Sequence, residues 1–166
     1  MTFNNLSCWL NFGINLIESF KIKQMENQLK IFLVDDDLFY LNILEQHLHN
    51  LGYKDVVIYT NGTDCINNLE QNPTVIFLDY KMDTLSGYEV LKKIKRYNPN
   101  IYTVMISGQE EIKPAIDSLK HGAFDYIQKG DDMGEKLGVV LSRIEEVIDL
   151  LKREKPSFLK SLFKYT

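Results

Sequence analysis

Five short apolar runs, separated by segments with helical periodicity, constrain the fold of this chain more than any other feature. The runs span residues 31–34, 56–59, 75–78, 102–106 and 124–127. Each is rich in the β-branched and aromatic residues that favour strands. Three are almost continuously apolar, which is typical of parallel strands covered by helices on both faces. Strands alternating with helices predict an α/β fold with three layers, α/β/α, around a five-stranded doubly wound parallel sheet.

The segments between these runs carry helix end signals. Ser86 and Glu89 have the spacing of a capping box, and Asp37 is a candidate N-cap. Gly52 and Gly122 follow two of the predicted helices, where glycine commonly ends a helix. The predicted buried stripes are Leu41, Leu44, Leu48 and Leu51; Val90, Leu91 and Ile94; Ile112, Ile116 and Leu119; and a long last stripe within 137–151.

We predict three parts: an N-terminal extension at 1–27, either flexible or a mis-called start before Met25; a domain at 28–153; and a basic amphipathic tail at 154–166. Charge is unevenly distributed along them. Residues 28–151 carry 12 Lys and Arg against 20 Asp and Glu, whereas residues 152–166 carry 5 against 1. The whole chain has a net charge of −4. Because no overall basic field attracts nucleic acid, we expect no direct nucleic-acid partner.

The cysteine content and the N-terminal segment bear on the cellular compartment. Two cysteines, Cys8 and Cys65, do not form a disulfide framework, so a reducing cytoplasm is expected. Residues 3–17 are apolar but are interrupted by asparagines, and no basic residue precedes them. This pattern fits neither a secretory signal nor a membrane span, and we expect no membrane span.

Polar side chains follow four of the five predicted strands. Asp35 and Asp36 come after the first strand, Asp79 after the third, Ser107 after the fourth and Lys129 after the fifth. Singly, each has an ordinary explanation as a helix cap, a turn residue or a solvated charge. Together they should meet, because doubly wound folds place ligands beyond the carboxyl ends of their strands. Three carboxylates brought together repel one another, so they need a cation. Their hard oxygen ligands favour Mg²⁺, which readily accepts a phosphoryl oxygen. A lysine facing the same point adds positive charge, so the group of residues predicts a site for phosphoryl chemistry.

Four motifs in order resemble the receiver domains of two-component response regulators, the chemotaxis-type family. They are IFLVDDD (31–37), VIFLDYKMDTLSG (75–87), TVMISG (103–108) and GAFDYIQKG (122–130). The resemblance extends over residues 28 to about 153 and implies the flavodoxin-like receiver fold.

The resemblance also implies a role for each matching residue. Asp79 corresponds to the phosphoacceptor, and Mg²⁺ would be held by Asp35, Asp36, Asp79 and the backbone carbonyl of Lys81. The remaining roles are phosphoryl binding by Ser107, Gly108 and Lys129; switching by Ser107 and Tyr126; and tuning of the phosphoryl lifetime by Lys81 and Gln109.

We therefore predict a stand-alone response regulator, phosphorylated by a histidine kinase or a histidine phosphotransfer protein. It would act on an unknown output protein and would not be an enzyme beyond slow self-catalysed phosphorylation and dephosphorylation. The near-heptad stripe on the fifth helix leaves a homodimer open.

Two rival hypotheses stay open. One is a receiver-like interaction module that is never phosphorylated; Asp83 and Gly130, which stand where the family usually has proline, favour it slightly. The other is a phosphatase of the haloacid dehalogenase type. That chemistry wants a second acid two residues after the nucleophile, where this chain has Lys81.

Overall fold

Five parallel strands form one sheet in the order β2-β1-β3-β4-β5. The structure is a computed structural model, and it describes residues 29–108 and 112–154. The strands are β1 (Ile31–Val34), β2 (Val56–Tyr59), β3 (Val75–Asp79), β4 (Tyr102–Ser107) and β5 (Asp125–Gln128). The doubly wound parallel fold predicted from the sequence is confirmed, with two strands ending one residue later than predicted and β5 shifted by one.

Five α-helices connect and cover the strands. They are α1 (Leu38–Asn50), α2 (Gly62–Asn67), α3 (Gly87–Tyr97), α4 (Ile112–Lys120) and α5 (Met133–Glu154), with a short 3₁₀ helix at Leu69–Gln71. Helices α1 and α5 pack on one face of the sheet, and α2 and α3 pack on the other. In the described ranges, no helix combines the length and apolar character needed to cross a membrane.

Successive residues of each central strand enter different cores. In β1, Ile31 and Leu33 pack with α1 and α5, whereas Phe32 and Val34 pack with α2 and α3. Since side chains alternate across a strand, burial on both faces requires an unbroken apolar run. Strand β3 follows the same rule until Asp79, its last residue, which lies opposite Ile106 of β4.

The predicted helix ends are confirmed where local chemistry sets them. Asp37 Oδ1 accepts the backbone N–H groups of Phe39 (2.9 Å) and Tyr40 (3.2 Å) at the start of α1. Ser86 and Glu89 form the complete capping box of α3. Gly52 has φ of +96°, a left-handed conformation that glycine adopts at little cost.

The predicted buried stripe of α4 is wrong. Ile116 and Leu119 are 45% and 47% exposed, and the buried residues of this helix are Pro114 and Ser118. Helix α4 packs against β5, the edge strand, which offers less apolar surface than the centre of the sheet. The side chain of Ile112 lies outside the described part of the chain.

The ends of two other predicted buried stripes are also wrong. Leu51 lies just beyond the end of α1 and is 43% exposed, and Leu151, near the end of α5, is 54% exposed.

Two predicted segments and one residue lie wholly or largely outside the described ranges: the N-terminal extension (1–27), the tail from residue 155 onward, and Gln109. The predicted division into three parts therefore stays a prediction.

Candidate functional site

Three carboxylates meet at the carboxyl edge of the sheet. Asp35 and Asp36 follow β1 directly, and Asp79 ends β3, the neighbouring strand. One oxygen from each lies within 4.8 Å of the others. Asp35 and Asp79 are only 2% and 5% exposed, whereas Asp36 is exposed to solvent. The structure thus brings together the three acids that the sequence predicted would converge.

Lys129 reaches into this cluster from the end of β5. Its Nζ lies 2.7 Å from Asp35 Oδ2 and 2.8 Å from Asp79 Oδ1, so one ammonium bridges two carboxylates. Its backbone N–H donates to the Ser107 carbonyl at 2.8 Å, which fixes the segment after β5 to the end of β4. The side chain therefore approaches the acids from a position set by the sheet.

The charges within the cluster do not balance. Three carboxylates face one ammonium, which leaves a formal excess of two negative charges. Burial raises the pKa of Asp79, and the charge of Asp35 raises it further, against hydrogen bonds from Lys129 and Lys81. Burial alone would lower the pKa of Lys129, but hydrogen bonds and charges from Asp35 and Asp79 outweigh it and raise that pKa. A divalent cation bound by oxygen ligands would cancel the excess charge.

Each of the three acids also accepts a backbone N–H. Asp37 N donates to Asp35 Oδ1 at 2.9 Å, and Lys81 N donates to Asp79 Oδ2 at 2.7 Å. Asp36 Oδ2 accepts from Asp83 N at 3.1 Å. These bonds orient the carboxylates independently of any side chain.

Two contributors to the site are absent from the sequence-based prediction. Asp83 stands where the family usually has proline, and a proline there would have no N–H for Asp36 to accept. Tyr40, in the first turn of α1, places its ring 4.2 Å from Lys129 Nζ. Burial raises the pKa of Tyr40 to about 12, so its hydroxyl stays neutral. Sequence periodicity does not reveal this contact, because Tyr40 and Lys129 are far apart along the chain.

The other predicted site residues are placed as follows. Ser107 ends β4 and is buried, one residue beyond the partner of Asp79. Gly108 is exposed, and an added Cβ would meet nothing within 4 Å. Tyr126 is half-buried on β5, with a buried hydroxyl that has no hydrogen-bond partner among the described residues. Lys81 exposes its side chain to solvent. The roles predicted for these residues stay predictions.

Comparison with protein families matches the response regulator receiver domain to residues 31–140 of this chain. The chain belongs to the response regulator receiver domain family. The resemblance inferred from the four sequence motifs is thereby confirmed. Receiver domains are phosphoacceptor regulatory domains of two-component systems.

Related proteins share the domain within longer chains. The transcriptional regulatory protein ZraR of Klebsiella oxytoca is 33% identical over 116 residues, which is 69% of this chain and 26% of that protein. An NtrX-like response regulator of Rickettsia conorii is 32% identical over 131 residues, covering 77% of this chain and 27% of that protein. The chain thus spans about a quarter of the length of these relatives.

Solved receiver domains share its fold. The CheY-like receiver domain protein of Methanospirillum hungatei is 28% identical with a TM-score of 0.65, covering 77% of this chain and 99% of that one. The BeF₃-activated DrrB receiver domain is also 28% identical, with a TM-score of 0.66, covering 72% of this chain and 99% of that one.

Proposed function

We propose that this chain is a response regulator that accepts a phosphoryl group on Asp79. The donor would be a histidine kinase or a histidine phosphotransfer protein, and the reaction would depend on Mg²⁺. One observation carries the proposal: three acids from two neighbouring strands converge within 4.8 Å, with Lys129 bridging two of them.

The residues present fit a magnesium ion. Asp35, Asp36 and Asp79 offer hard oxygen ligands, with the backbone carbonyl of Lys81 as a further candidate, and the excess of negative charge calls for a divalent cation. When bound, Mg²⁺ would neutralise charge on the transferring phosphoryl group.

The protein's own groups would carry out the transfer mainly by positioning. An Asp79 carboxylate oxygen would supply the electron pair of the new P–O bond. The P–N bond to the donor imidazole would break, and the imidazole would leave with that bond's electrons and take up a proton. Lys129 would then pair with a phosphoryl oxygen, and the Ser107 hydroxyl would donate to another. Gly108 would leave room above the phosphoryl group, since it carries no side chain.

The response would begin at the same groups. Movement of Ser107 towards the phosphoryl group would draw the loop after β4 inward, and Tyr126 would rotate into the space released. Such a local event biases two arrangements of the surface formed by α4, β5 and α5. Lys81 and Gln109 would tune the phosphoryl lifetime.

The wider setting belongs to the same proposal. The chain would act in the cytoplasm through an output protein that it contacts directly, without binding nucleic acid itself. Self-catalysed phosphorylation and dephosphorylation would be slow, and a homodimer through α5 stays a prediction.

Intact-mass measurement after incubation with acetyl phosphate and Mg²⁺ tests the proposal. We expect the mass gain of one phosphoryl group, lost when Mg²⁺ is chelated and lost in Asp79→Asn. Absence of any gain in the wild-type chain would favour the interaction module that is never phosphorylated. A gain that persists in Asp79→Asn would place the acceptor elsewhere.

A further inference from the structure

The Lys129 ammonium has a third neighbour besides its two carboxylates. Its Nζ lies 4.2 Å from the centroid of the Tyr40 ring, while two of its three N–H donors serve Asp35 and Asp79. We propose that Tyr40 is a positioning residue that holds Lys129 in the site through the face of its ring. The inference rests on the proposed function, since it assigns Tyr40 a part in phosphoryl transfer to Asp79.

The backbone of Tyr40 is bound by the same acidic segment that forms the site. Asp37 Oδ1 accepts the backbone N–H of Tyr40 at 3.2 Å, and Asp37 N donates to Asp35 Oδ1 at 2.9 Å. Asp35 Oδ2 in turn pairs with Lys129 at 2.7 Å. Asp35, Asp37, Tyr40 and Lys129 therefore form a closed circuit of contacts, which ties the backbone that carries the ring to the acidic cluster.

The ring, not the hydroxyl, accounts for the contact. The Tyr40 hydroxyl is buried and has no hydrogen-bond partner among the described residues. Because this hydroxyl is neutral, it offers no charge to the ammonium. A cation above an aromatic face is attracted by the ring quadrupole, and phenylalanine provides the same face. Phenylalanine at position 40 should therefore preserve the function, whereas an aliphatic side chain should not.

The contact matters most when the carboxylates change partners. A cation bound by Asp35 and Asp79 would weaken their hold on Lys129, and a phosphoryl group on Asp79 would do the same. The attraction of an uncharged ring persists through both events, because it does not depend on either carboxylate. Tyr40 thus keeps the ammonium within reach of the incoming phosphoryl oxygens.

Three variants of the full chain test the inference: Tyr40→Phe, Tyr40→Leu and Tyr40→Met. The first readout is the NMR position of the Lys129 side-chain protons, which a ring face moves upfield. We expect the upfield shift in wild type and Tyr40→Phe, and its loss in Tyr40→Leu and Tyr40→Met. The second readout is the phosphorylation rate with acetyl phosphate. It should fall about fivefold in the two aliphatic variants and stay within about twofold in Tyr40→Phe.

Mg²⁺ affinity is the companion measurement, because Lys129 and the cation share Asp35 and Asp79. A weaker hold on Lys129 should leave Mg²⁺ binding equal or tighter in the variants, whereas weaker Mg²⁺ binding would mean that the acids themselves have moved and would count against a role through Lys129 alone. Methionine preserves apolar bulk and keeps the test available if leucine prevents folding.

Several results would overturn the inference. One is a phosphorylation rate in Tyr40→Phe as low as in Tyr40→Leu and Tyr40→Met. A second is a wild-type phosphorylation rate in the leucine and methionine variants. A third is the lack of an upfield shift of the Lys129 side-chain protons in the wild-type chain. If the wild-type chain takes up no phosphoryl group, the proposed function fails instead. The Lys129 shift then decides by itself whether Tyr40 holds the ammonium.

Discussion

Gly87 is the position where a single methyl group should do the most damage to the site. It is the first residue of α3 and donates its N–H to the Tyr80 carbonyl at 3.0 Å. A Cβ at this position would lie 1.9 Å from the Asp79 carbonyl oxygen and 3.0 Å from Tyr80 Cα. Both contacts are with backbone, so no side-chain rotation can relieve them, and α3 must move away from the end of β3 in Gly87→Ala.

The size of the effect follows from that distance. Ordinary van der Waals contact begins near 3.4 Å, so the 1.9 Å approach requires a backbone shift of more than 1 Å. Overpacking typically costs about 1–3 kcal/mol, and a clash with backbone belongs at the upper end. We therefore expect Gly87→Ala to lower the free energy of unfolding by about 3 kcal/mol, with a fall in Tm of roughly 10 °C.

Urea and thermal unfolding measure this change, and Gly108→Ala is the matched control. Gly108 also adjoins the site, but an added Cβ there meets nothing within 4 Å. Its substitution should change the free energy of unfolding by no more than about 0.5 kcal/mol. Equal stabilities for the two variants would refute the close approach of α3 to β3. Mg²⁺ affinity should fall in Gly87→Ala alone, because Asp79 moves with its carbonyl.

Three further predictions concern the acids and their neighbours. Asp79→Asn should raise the urea midpoint at pH 7 without Mg²⁺. Because the pKa of Asp79 is raised on folding, the wild-type domain loses stability as the pH rises through that folded pKa. The gain in stability should therefore shrink towards pH 4, and a gain that is independent of pH would contradict the reasoning. Asp83→Pro removes the N–H that Asp36 accepts, whereas Asp83→Ala keeps this N–H. The proline variant should therefore bind Mg²⁺ about fivefold more weakly than the alanine variant. Equal affinities in titration calorimetry would show that this N–H does not support Mg²⁺ binding. Lys81→Asn should change the decay rate of the phosphorylated chain, followed by intact mass, and an unchanged rate would remove Lys81 from that role.

The sequence predicted two kinds of feature correctly: strands that are buried on both faces, and helix ends that are set by nearby residues. The strands beneath two helical layers were recognisable because β1 and β3 must be apolar on both faces. Asp37, Ser86 and Glu89 fixed helix ends through bonds within one turn of the chain. The convergence of the acids followed from parallel topology alone, since carboxyl ends of adjacent parallel strands share one edge.

Prediction failed where the answer depends on what an element meets in space. The apolar spacing of Ile116 and Leu119 suggested a buried face, yet α4 packs at the sheet edge and exposes both. Tyr40 and Lys129 are far apart in sequence, so no periodicity links them. The hydrogen bond from Asp83 N to Asp36 depends on the path of the loop after β3, and the sequence pattern does not predict that path.

The main-chain origin of the N–H groups around the acids has a consequence for how this site can vary. Positions 37, 81 and 83 each supply a donor that every amino acid except proline possesses. Side chains there can be exchanged without removing the scaffold that aims the carboxylates. A substitution of the exposed side chains at 81 and 83 therefore leaves all three donors in place, and only proline, which the family usually has at position 83, removes one of them.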